Sequence, residues 1–217
     1  MKQREYADRD NWLGSFYELG IAYPAGSDAG CIMGATRALW QHPLLEGPLA
    51  NPYSGQPAST FVAFPSVIEN MSTLYGLLHL PDNRAVGCRT MILNPGDDPI
   101  EVAAAEHATS VMLSIPTGML NLAYPVEYPI DGTTNPWIDE FERVLVDIAE
   151  SVYRVAPFDL AVIGEEATAL AVGADALTAD ELDRGGYLLS PHLAHGLKPR
   201  RVPEVLPSGL LRFPWTT

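Results

Sequence analysis

From Asn135 to Val172 the chain reads NPWIDEFERVLVDIAESVYRVAPFDLAVIGEEATALAV, an amphipathic helical pattern that passes through an Ala156-Pro157 break into an apolar strand. Ile138, Phe141, Leu145, Ile148, Val152 and Val155 recur at intervals of three and four, the spacing that lines one face of an α-helix. Asp139, Glu142, Arg143, Asp147, Glu150 and Arg154 fall largely on the opposite side, so the spacing predicts a solvated polar face there. Asn135 is a suitable N-cap with Pro136 at the first helical position, and Asp139, Glu140 and Glu142 suit the positive end of the helix dipole. Pro157 cannot continue the helix, and Phe158 to Gly164 then reads as a strand buried on both faces. A helix feeding such a strand restricts the chain to architectures that layer helices on a sheet.

The remaining segments narrow the class. Phe16 to Tyr23 reads as a strand, followed by a helix capped by Ser27 or Asp28, striped by Ile32, Ala35 and Leu39, and stopped by Pro43. Gly47 to Ser59 reads as a loop from its three prolines and two glycines. Thr60 to Phe64 is a candidate short strand, and Ser72 to Leu80 with Ala85 to Asn94 form a hairpin around Pro81-Asp82-Asn83-Arg84. Ser110 to Ile115 is a further strand, with a helical turn or another strand at Thr117 to Tyr124. Thr178-Ala179-Asp180-Glu181 is a capping box opening a short helix that Gly185-Gly186 ends. The hairpin signals exclude a purely parallel sheet. They predict an α+β two-layer sandwich, a mainly antiparallel sheet with the two main helices on one face. The two strand–helix units are compatible with a degenerate ferredoxin-like duplication, although no sequence repeat marks one. The expected organisation is one α+β domain over 1–217, with a charged lead at 1–14 and a Pro-rich tail at 185–217 packed on the domain.

Charge is distributed unevenly. The formal net charge is −14, but 18 carboxylates between Thr90 and Asp183 face only Arg143 and Arg154, while residues 184–217 carry five bases against Glu204. Such a field disfavours nucleic acid and anionic membrane and steers basic partners or cations toward the middle of the chain. The longest apolar run, Val111 to Val126, is broken by Pro116 and Gly118 and falls short of the roughly 20 residues needed to span a bilayer. The first dozen residues lack an apolar core of the secretory type, which predicts a cytoplasmic chain. Eleven of the thirteen basic residues are Arg, a bias that fits a GC-rich bacterial coding sequence. Cys31 and Cys88 have no metal or redox spacing and read as small buried hydrophobes.

The chemical candidates are few. Glu165-Glu166 ends the apolar strand, but neighbouring strand residues point to opposite faces, so the pair forms no dyad unless the chain bends there. His107 is a candidate acid partner for either carboxylate. His192 and His195 are spaced for metal ligation on one helical turn, yet no Cys, Asp or Glu lies near in sequence to complete a set. No phosphate-binding loop or nucleophile elbow occurs, and the sequence calls for no cofactor and no metal. Asp97, Asp98, Glu101, Glu106 and Glu140 are candidate partner-binding acids. Trp137 in the first turn of the acidic helix is either an exposed interface anchor or a staple onto the preceding loop.

The strand and helix ending LWQHPLLEGP (39–48), the hairpin YGLLHLPDNRAVGC (75–88) and the helix leading into APFDLAVIGEE (156–166) resemble a set of uncharacterised bacterial α/β proteins. That resemblance implies a fold and carries no activity. The function expected from the residues is a non-catalytic binding protein, of the immunity type that neutralises a basic toxin by covering it with acidic surface. The alternatives are a small enzyme using Glu165 or Glu166 as general base, and an oligomeric structural or accessory protein.

Overall fold

The computed structural model describes residues 1–24, 27–57, 59–65, 73–93, 108–167 and 177–215. A short helix α1 (Gln3–Ala7) and a 3-10 turn (Arg9–Trp12) precede β1 (Phe16–Pro24) and α2 (Ala29–Trp40). Then come β2 (Leu45–Leu49), β3 (Leu74–His79), β4 (Ala85–Leu93), β5 (Ala108–Pro116), α3 (Thr117–Leu120), α4 (Ile138–Val155) and β6 (Leu160–Glu165). The C-terminal part adds α5 (Ala179–Leu182), β7 (Tyr187–Leu189), α6 (Pro191–Leu197), β8 (Glu204–Val205) and β9 (Leu211–Phe213).

Among the described residues nine strands join one antiparallel sheet in the order β2-β3-β4-β5-β1-β6-β7-β9-β8. Its centre explains the rest. Because every neighbouring pair is antiparallel, β4 runs parallel to β1 with β5 between them, and β6 runs parallel to β5 with β1 between them. Helix α2 leads from β1 toward the first of these crossings and α4 makes the second, which is the order and direction of a ferredoxin-like unit. The β2–β3 hairpin widens the unit at one edge, and β7, β9 and β8 widen it at the other. The protein is therefore α+β, as the hairpin signals require.

Alternation along β1 divides the core. Tyr17, Leu19, Ile21 and Tyr23 join α2 and α4 in the main apolar cluster, and α2 packs against α4 over this face. Ala22, Leu160 and Val162 face the other way and meet Leu182 of α5 and Ala194 of α6 in a second, smaller cluster. Trp40 at the end of α2 lies so close to β3 that a Cβ on Gly76 would come within 2.4 Å of its ring. Its indole N–H donates to Thr90 Oγ1 at 2.9 Å, so a large side chain is fixed by a small neighbour and one polar contact.

Four local expectations are corrected. Leu45–Leu49, partly inside the segment read as loop, is a strand with a register shift; its edge position tolerates Pro48, which has no N–H to give a ladder. In the 60–64 segment only a single bridge forms, Phe61 to Leu49. Helix α4 begins at Ile138, not at Pro136, because the Asn135 side chain is used to close the preceding loop, donating to the Glu127 and Pro129 carbonyls at 2.8 and 3.2 Å. On the same helix Val155 is 65% exposed, whereas Glu142 and Glu150, read as solvated, are 5% and 7% exposed. The C-terminal segment covers them: Arg212 reaches Glu142, and the Ser208 N–H donates to Glu150 at 2.7 Å.

Candidate functional site

One end of the central sheet, where β1 begins and β6 finishes, carries a concave pocket of about 360 Å³. Three parts of the chain supply acids to it. Asp131 comes from the loop before α4, Asp139 and Glu142 from the first turns of α4, and Glu165 from the last residue of β6. Tyr17 and Trp215 provide aromatic wall, with Ile130 and Ile138 between them.

Each carboxylate is held differently. The Glu142 side chain accepts from the Tyr17 hydroxyl at 2.6 Å and lies 3.2 Å from the Arg212 guanidinium of β9. Burial pushes its carboxyl above the ordinary glutamate range, opposed by the Tyr17 hydrogen bond and the Arg212 charge. Burial and the adjoining Glu142 charge push the Tyr17 phenol up as well. Asp131 Oδ1 accepts the Thr133 and Thr134 amides at 2.9 and 3.0 Å; these bonds to Thr134 and Thr133 hold its carboxyl below the usual range. Glu165 accepts the Ser15 hydroxyl at 2.6 Å, and that hydroxyl lies 3.1 Å from the Tyr128 hydroxyl.

Trp215 depends on the Gly185-Gly186 pair. Its indole N–H donates to the Ile163 carbonyl at 2.9 Å, and a Cβ on Gly186 would sit 2.5 Å from its ring. Both glycines have positive φ, +100° and +81°, where side chains are disfavoured. The two glycines that end the α5 segment thus also admit the indole that walls the pocket.

The sequence candidates separate. Glu165 pairs with Tyr17 in register and lines the pocket. Glu166 leaves the strand at φ +51°, and its carboxylate accepts the Phe16 N–H at 3.1 Å instead. The chain does bend there, but it does not turn the two acids toward one point. Trp137 is half-buried, its ring stacked on Tyr124 at 4.6 Å and its N–H donating to the Pro125 carbonyl at 3.0 Å, the stapled arrangement. Glu140 is exposed on α4. Asp97, Asp98, Glu101, Glu106 and His107 lie outside the described residues. His192 and His195 both lie exposed on α6, and among the described residues no group of three or more His, Cys, Asp or Glu is arranged to hold a metal ion. Nor, among them, is any helix long and apolar enough to cross a membrane.

Sequence reasoning missed Glu142 and Arg212. A signal for Glu142 was present, since it lies four residues after Ile138 and three before Leu145, on the margin of the apolar stripe. Arg212 carried none, because its partner is 70 residues away. No protein-family model, curated protein or solved structure matches the chain.

Proposed function

We propose that the chain is a non-catalytic bacterial binding protein, of the immunity type, that neutralises a basic protein partner through its acidic surface. The observation that carries this reading is the convergence of Asp131, Asp139, Glu142 and Glu165 on one concavity. Glu142 is paired with Arg212, and the surrounding sequence is strongly acidic. Complementary charge speeds encounter and selects among partners more than it adds affinity. The test is capture from an extract of the source cells at low salt. A basic protein retained at low ionic strength and released as salt rises supports the reading; no partner, or retention that ignores ionic strength, overturns it.

A second reading, a small carboxylate-dependent enzyme, is favoured by one observation: Glu165 shares the pocket with a carboxyl whose protonated form burial favours. Glu165 would then be the general base and Glu142 the acid. Turnover of a panel of glycoside and ester substrates, lost on Glu165→Gln, supports that reading, and no turnover across pH 4–8 removes it.

A further inference from the structure

We infer that the pocket receives an arginine side chain of the protein partner, and that exposed Leu13 and Tyr128 beside it form the adjoining apolar contact. This rests on the binding-protein reading and names its point of contact.

The concavity, more than the number of acids, makes this a site. Its volume of about 360 Å³ lies within the range of roughly 300–1,000 Å³ for ligand pockets and admits a long side chain. Its walls set Asp139 and Glu165 for charge beside the Trp215 ring for stacking. A guanidinium satisfies both demands, because it is planar, forks onto carboxylates, stacks on rings and gives up water more readily than an ammonium. The protein already uses the same chemistry, since Glu142 in the wall takes the Arg212 guanidinium at 3.2 Å.

The second, independent observation is the rim. Leu13 and Tyr128 are 61% and 62% exposed. Tyr128 is joined to the pocket through Ser15, whose hydroxyl lies 3.1 Å from the Tyr128 hydroxyl and donates to Glu165, and Leu13 lies two residues before Ser15. Backbone contact fixes Leu13, its carbonyl accepting the Gly118 N–H at 3.2 Å. An aromatic and an aliphatic group beside a charged recess is the anatomy of a protein contact centre.

The experiment titrates the full chain with acetyl-Leu-Arg-Leu-amide and with its citrulline counterpart, a neutral near-isostere, followed by amide and indole NMR shifts. Expected are saturable shifts at Gly132, Glu165 and the Trp215 indole, with the citrulline peptide at least about tenfold weaker. Glu165→Gln and Asp139→Asn should each weaken the arginine peptide about tenfold. Leu13→Ser should weaken both peptides equally. The spectra themselves report whether each variant is folded. Absence of binding, equal affinity for the two peptides, or binding indifferent to both acidic substitutions overturns the inference. If salt-sensitive capture of a basic protein survives Glu165→Gln with Asp139→Asn, the pocket inference falls and the broader reading stands. If wild type retains no such protein, the broader reading falls with it.

Discussion

Glu142 of α4 and Arg212 of β9 form an ion pair at 3.2 Å with side chains only 6% and 11% exposed, joining the main helix to the C-terminal segment at the wall of the pocket. A buried pair of this kind is costly to break and cheap to replace, since the desolvation cost is borne by both charges and recovered only while they stay together. Arg212→Ala is expected to destabilise the fold by about 3–5 kcal/mol, leaving Glu142 and Tyr17 facing an empty position. The joint replacement Tyr17→Phe, Glu142→Leu and Arg212→Met should recover most of that loss. Urea unfolding of the two variants beside wild type measures both.

The pH dependence of Glu142 has a definite sign. Its folded carboxyl titrates above the ordinary value of 4.5, held up by burial against Tyr17 and Arg212, with the Asp139 charge adding in the same direction. Ionisation therefore costs more in the folded chain than in the unfolded one. The contribution of this residue is complete below pH 4.5 and is lost as pH rises through its raised value. Glu142→Gln, which keeps the shape but does not ionise, is expected to lose this pH dependence across that window, at the cost of leaving Arg212 with Glu204 as its carboxylate. Unfolding free energies of both proteins at successive pH values check the slope, and carboxyl NMR reads the titration directly.

His42 behaves oppositely. Its ring is buried just beyond the end of α2, with Nε2 3.2 Å from Asp147 Oδ2 of α4 and Nδ1 accepting the Leu44 N–H at 3.3 Å. That geometry requires a neutral ring protonated on Nε2. Burial lowers its pKa below 6.5, with Asp147 opposing, so its contribution is present above pH 6.5 and is lost as pH falls through the lowered value. His42→Ala should cost about 1–3 kcal/mol at neutral pH and remove this acid-side loss. Thermal unfolding at pH 5 and pH 8 distinguishes the variant from wild type.

What the sequence revealed follows the range over which its signals act. The Thr178–Glu181 capping box forms as read, with the Glu181 N–H donating to Thr178 Oγ1 and Glu181 accepting the Thr178 N–H, because both partners lie within one turn. The 81–84 turn joins β3 to β4 for the same reason. Strand alternation placed Glu165 and Glu166 on different courses, and hairpin signals gave the α+β class. Periodicity failed at Glu142 and Glu150, where the tertiary partners come from the tail and convert a polar margin into a buried, hydrogen-bonded seam. It failed at Pro48 because loop composition and an edge strand look alike until the neighbour is known. The pocket itself was illegible, since Asp131, Glu142, Glu165 and Trp215 meet only after the sheet has assembled.

Two glycine substitutions separate a conformational requirement from a mere preference. At Gly186, φ is +81° and an added Cβ would lie 2.5 Å from the Trp215 ring and 2.7 Å from the Ile163 carbonyl oxygen. Neither the backbone nor the carbonyl can yield cheaply, so Gly186→Ala is expected to cost about 2–3 kcal/mol and to displace the indole. At Gly196, inside α6, nothing lies within 4 Å of the added Cβ, and alanine is the better helix former. Gly196→Ala should therefore stabilise the chain by about 0.5–1 kcal/mol and leave the pocket unchanged. Chemical unfolding gives the two energies, and the Trp215 indole resonance reports the pocket: it should move in Gly186→Ala and hold its position in Gly196→Ala. An unmoved resonance in the first variant would mean that the glycine pair does not position the wall, and that the tail finds its place through the β7–β9 pairing and the Arg212 and Glu150 contacts.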